Sequence, residues 1–132
     1  MSSLPIPTSS PDVEQLLQAA LGQEFNGAPV RIVKSSQVAP YHCIVIRADL
    51  QNKATPISRY CRLAVSAWVV RSDGTADLKA SRDLAGAYAS AVERLSGGIV
   101  LSAEIESGPY RVEDPTGGPL YAVANLLLEV AV

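Results

Sequence analysis

The residues of this chain that could make or break bonds are few and scattered. His42 is the only histidine, and Cys43 follows it directly; Cys61 is the only other cysteine. A Cys–His nucleophile pair needs both side chains within hydrogen-bond reach. Neighbours on a strand point to opposite faces, so His42 and Cys43 cannot serve each other. A meeting of His42 with Cys61 across strands is the remaining geometry, and a structural or exposed histidine is the preferred reading. A zinc site needs three or four converging ligands, which one histidine and two separated cysteines do not supply. No metal, cofactor or catalytic residue is expected, and the cysteines read as buried free thiols rather than a disulfide.

The densest carboxylates are Glu104, Glu106, Glu113 and Asp114. Glu104 and Glu106 fall on one face of a strand. Paired carboxylates do acid–base work when they flank a cleft; beside a loop they read as a solvated rim, or, in a ring of subunits, as acids around a shared opening. The glycine segments Gly97-Gly98, Gly108-Pro109 and Gly117-Gly118-Pro119 do not stand between a strand and a helix N-terminus, as phosphate cradles do. They read as turns. Trp68, the only tryptophan, lies mid-strand beside Arg62 and Ser66. Cover from the following helix is the preferred reading, and an interface anchor is the other. Arg47, Lys53, Arg59 and Trp68 are the candidate interface residues.

The elements that must position these residues follow from periodicity. With 132 residues, 48% of them hydrophobic, the chain suits one domain with a real core. Residues 1–10 are expected to form a flexible arm, because Pro5 and Pro7 block regular pairing. Ser10-Pro11 is expected to open a helix carrying Val13, Leu16, Leu17, Ala20 and Leu21 on one face, ended by Gly22 or by Asn26-Gly27. Strands are expected at 30–34 and 41–48, then a polar connection, DLQNKATPIS, over 49–58. Residues 60–71 alternate as a strand: Leu63, Val65, Ala67 and Val69 share one face, and Arg62, Ala64, Ser66, Trp68 and Val70 the other. A helix over 77–95 carries Leu84, Ala87, Tyr88, Ala91, Val92 and Leu95 at helical spacing. A strand over 99–106, a loop over 106–120 and a strand over 121–132 complete the chain. The expected fold is α+β: residues 11–132 form a two-layer sandwich. In it, two helices pack a mixed or antiparallel sheet of about four strands, with an extra hairpin as an option.

The net charge of −2 argues against a general nucleic-acid binder. The distribution is uneven. Between 31 and 71 the basic residues Arg31, Lys34, Arg47, Lys53, Arg59, Arg62 and Arg71 face Asp49 alone. From 99 onward Glu104, Glu106, Glu113, Asp114 and Glu129 face Arg111 alone. Two surfaces of opposite sign that meet between subunits would steer and register an assembly. No secretory signal and no apolar run long enough for a membrane span are seen, so a soluble protein made in the cytoplasm is expected.

The order of elements, the strand CRLAVSAWVV, the helix DLAGAYASAVERL, and the run ESGPYRVEDPTGGPLYAVANLLLEV together resemble the tail terminator proteins of long-tailed bacteriophages, particularly those infecting actinobacteria. The resemblance covers residues 11 to 132. It implies a non-enzymatic virion protein, assembled in the host cytoplasm. Such a protein forms a ring, expected to be a hexamer, on the head-proximal end of the tail tube. The ring would stop tube growth, present a docking surface to a head completion or connector protein, and let DNA pass through its lumen. The resemblance carries over no catalytic residue, and the arm at 1–10 has no counterpart in it. Two other readings remain: a head–tail connector or tail tube subunit, and a small host α+β ligand-binding domain.

Overall fold

The computed structural model describes residues 12–34, 37–55, 58–95 and 100–131, the side chains of 50–55 excepted. Asp12 starts the first helix, α1 (Val13–Leu21), by accepting a hydrogen bond from the Gln15 backbone N–H at 3.0 Å. This cap satisfies one of the helix's unpaired amide donors. It replaces the expected start at Ser10-Pro11, which lies outside the described residues together with the arm at 1–10. Gly22, at φ 93°, ends the helix and donates its N–H to the Gln18 carbonyl.

Asn26-Gly27 does not end α1. At φ 50° and 82° it is the two-residue turn of a short hairpin between β1 (Glu24–Phe25) and β2 (Ala28–Arg31). Asparagine and glycine tolerate the left-handed conformations that such turns need.

The expected polar connection is a second correction. Residues 49–55 continue β3 (Tyr41–Thr55), which pairs antiparallel with β4 (Ser58–Val70) along its whole length, with register shifts beyond Leu50. β2 pairs β3 only at Ile44 and Val45, and further along the outer edge of β3 borders no strand among the described residues. Pro56 and Ile57 lie outside the described residues.

The helix α2 (Leu78–Glu93) is capped by Asp77, whose side chain accepts from the Ala80 N–H at 3.1 Å. Half of the expected loop after it is strand: β5 runs Val100–Val112, and β6 spans Tyr121–Ala131. Gly108 lets β5 pass close to β6. Its φ is +84°, and a Cβ there would run into the Val123 carbonyl oxygen.

The sheet has six strands in the order β1-β2-β3-β4-β6-β5, against about four expected with an extra hairpin as an option; the β1–β2 hairpin is an added pair. Only β2 and β3 are parallel neighbours; the other contacts are antiparallel. Because β4 and β5 each run antiparallel to β6, they run parallel to each other with β6 between them. The passage β4–α2–β5 is therefore a crossover split by a central strand.

Both helices cover the same sheet face. The core joins Val13 and Leu17 of α1 and Leu84, Ala85, Tyr88, Ala89 and Val92 of α2 to Ile44, Ile46, Leu63, Val65, Leu126, Leu128 and Val130 of the strands. Tyr88 is fully buried and meets Phe25 edge-on at 5.1 Å. Burial pushes its phenol pKa up to about 12. Among the described residues, the opposite face carries a small apolar cluster of Cys43, Trp68 and Val70 at one end.

Candidate functional site

The helix-free face is where the candidate residues have to be judged. Alternation along β4 and β6 sends Tyr60, Arg62, Ala64, Ser66 and Trp68 to this face with Val123, Asn125, Leu127 and Glu129. Arg47 pairs in register with Ala64 and therefore belongs here too, exposed at the β3 side. Glu104 pairs with Leu127 and is exposed at the β5 side. Glu106 joins it on this face, where its Oε1 lies 3.2 Å from Arg62 Nη1. Asn125 donates to Ser107 Oγ at 3.1 Å and to Tyr110 Oη at 2.9 Å. The face thus carries Arg47 and Asp49 on β3, Arg62 on β4 and the acids Glu104 and Glu106 on β5, with Val123, Asn125 and Leu127 of β6 between them.

Trp68 is neither an exposed anchor nor covered by α2. It stands on the face away from both helices and is 7% exposed. Tyr121 stacks on it with centroids 4.4 Å apart at 20°. The Lys34 ammonium lies 5.3 Å from the Trp68 ring centroid and 5.4 Å from that of Tyr41, a cation–π arrangement. The indole N–H has no hydrogen-bond partner among the described residues.

Arg59 does not share a surface with Arg47. Its register partner is Val130, a core residue beneath the helices, so Arg59 lies on the helix-bearing face. Lys53 is paired with it along the hairpin, but its side chain lies outside the described residues. The four interface candidates therefore do not form one patch.

Glu113 is exposed. Asp114 builds a turn: its Oδ1 accepts from the Thr116 N–H at 2.9 Å and the Thr116 hydroxyl at 2.6 Å. Asp73 does the same with Thr75 at 3.0 and 2.6 Å. These bonds hold both carboxyls below the ordinary aspartate pKa, since they favour the charged form.

His42 and Cys61 do not meet. His42 pairs with Val69 and Cys61 with Leu50, which puts them roughly 25 Å apart at strand rise. His42 borders an open crevice of about 390 Å³ with Asn26, Val69, Ala80, Asp83, Leu84 and Ala87. Cys43 and Cys61 are buried on opposite faces and free. Burial raises the Cys61 pKa to about 11, with Asp49 adding to the effect. Burial also raises that of Cys43, against a hydrogen bond from Gln37. Among the described residues, no three His, Cys, Asp or Glu side chains gather as a metal site would require.

No protein-family model matches the chain. A search of curated proteins likewise finds no relative.

Sequence reasoning missed two residues that act at the sheet edges. Glu14 of α1 accepts from the Ala48 backbone N–H of β3 at 3.1 Å. Glu93 of α2 accepts from the Ile105 N–H of β5 at 3.0 Å. One helix carboxylate thus occupies a backbone donor at each side of the sheet. A signal for Glu93 exists in hindsight. It is an acid in the last turn of its helix, without a basic residue there, where a negative charge opposes the macrodipole by about 0.3–1 kcal/mol.

Proposed function

We propose that this chain is a structural virion protein of the tail terminator type. Copies of it ring the head-proximal end of a tail tube, end the tube's growth and offer a docking surface for the head completion or connector protein. The observation that supports this reading is the two-sided sheet. One face is closed by both helices, and much of the other is bare, with Arg47 toward one edge and Glu104 toward the other. A surface graded in charge from edge to edge suits repeated head-to-tail contact between identical copies.

Electron microscopy of the purified protein, with its native mass, tests the proposal. Single rings of uniform size are expected, and their addition to growing tail tubes should fix tube length. Stacked tubes would point instead to a tube subunit, and a monomer at every concentration would overturn the ring. The crevice beside His42 gives the ligand-binding alternative its one supporting observation, an apolar wall of Val69, Ala80, Leu84 and Ala87. Chemical-shift changes confined to that wall on adding apolar small molecules would favour that alternative.

A further inference from the structure

We infer that the edge of β5 is a docking strand for β3 of a second copy, and that Glu93 holds this edge shut in the lone protomer. The inference rests on the ring reading and names the surface that would close it.

Topology carries the first part. β3 runs antiparallel to β4, and β5 runs parallel to β4 across the intervening β6. A second copy placed beside the first in the plane of the sheet therefore brings its β3 antiparallel to the first copy's β5. The helices of both copies stay on the same side. Such an interface is heterologous and repeats until its rotation closes a ring. Among the described residues, β5 is 13 residues long and pairs with β6 alone, and the outer side of β3 borders no strand from 46 to 55, beyond the β2 contact at Ile44 and Val45. Charge agrees with the pairing. Glu104 at the β5 edge and Arg47 at the β3 edge lie on the same sheet face, both exposed and without an ion-pair partner among the described residues.

Glu93 carries the second part. An incoming strand adds to an edge by offering carbonyls to its outward N–H groups. The Ile105 N–H is one of these, and the Glu93 carboxylate already occupies it. Glu14 does the same at Ala48 on the edge that would arrive. Unpaired edges invite uncontrolled association, and native proteins block them. A carboxylate on a helix end blocks reversibly, because a side-chain rotation withdraws it.

The test is sedimentation of the full-length chain and its variants over a range of concentrations. Glu93→Ala should assemble at about tenfold lower concentration than the wild type, whereas Glu93→Gln, which keeps an acceptor oxygen, should stay near it. Arg47→Glu and Glu104→Arg should each require about tenfold more protein. The double variant should return toward wild type, which also shows that the substituted chains fold. Rings that form regardless of all four changes would overturn the β5–β3 pairing while leaving the ring reading intact. Single charge variants that fail without recovery in the double would likewise overturn it. A wild type and a Glu93→Ala chain that both stay monomeric would bring down the ring reading and the pairing with it.

Discussion

The Trp68 indole lies flat against the Tyr121 ring, 4.4 Å between centroids at 20°. This contact ties the start of β6 to the far end of β4, and Lys34 caps it from the segment after β2. Tyr121→Ala should cost about 2 kcal/mol, from lost stacking and a partly refilled gap. Because Trp68 is the only tryptophan, its fluorescence reports on the surroundings of this one ring, which Tyr121 and Lys34 share. The native emission should shift to the red in the variant before global unfolding begins. An unchanged spectrum together with unchanged stability would show that the stack contributes nothing.

Two glycines separate backbone strain from collision. Gly74 and Gly108 have nearly equal dihedrals, φ +86° and +84°, but a Cβ at Gly74 meets nothing within 4 Å, whereas at Gly108 it strikes the Val123 carbonyl. Gly74→Ala should cost about 1 kcal/mol, the penalty for a left-handed alanine. Gly108→Ala should cost upwards of about 2 kcal/mol more, since β5 and β6 must separate. Urea unfolding of the two variants measures the difference, and equal losses would show that the strands yield freely.

Ser81 is fully buried and bridges a helix to a strand. Its hydroxyl accepts from the Val69 N–H at 3.0 Å and donates to the Asp77 carbonyl at 2.9 Å. Ser81→Ala leaves a buried backbone donor unsatisfied, and a loss of about 1–3 kcal/mol is expected. Hydrogen exchange at Val69 should accelerate in the variant. Exchange at the wild-type rate would mean that another acceptor takes the hydroxyl's place.

Acid sensitivity should come partly from two turns. Thr75 and Thr116 hold Asp73 and Asp114 below the ordinary aspartate pKa. With folded-state values below the unfolded ones, both carboxylates add stability above about pH 4. That contribution is lost as the pH falls through the depressed folded values. The double variant Thr75→Val, Thr116→Val should be less stable at neutral pH and lose less on acidification. Parallel stability curves for variant and wild type between pH 7 and 3 would contradict this.

The legible parts of the fold were those written in local periodicity. Leu63, Val65, Ala67 and Val69 alternate against Arg62, Ala64, Ser66 and Trp68 as expected, and Leu84, Tyr88 and Val92 face the core. The polar half of β3 was not legible, because its strand character comes from pairing with β4 and not from its own side chains. The extension of β5 was hidden by Gly108-Pro109, which ordinarily marks a turn. At the candidate site, the shared face of Glu104 and Glu106 was legible from spacing. The separation of Arg47 from Arg59 was not, since it follows from a register that only the folded hairpin reveals. The cover over Trp68 was misjudged for a related reason. One sheet face receives both helices, so a residue one step out of phase with the core is left to aromatic neighbours from distant segments. Glu14 and Glu93 were invisible because their partners are backbone amides in other elements.

The position of β6 has a consequence for cooperativity. It separates β4 from β5 in space yet follows both along the chain. Until β6 is in place, β4 and β5 share no ladder with each other, and each leaves one flank unpaired. Neither can complete its ladder, so cooperative folding waits for the last strand.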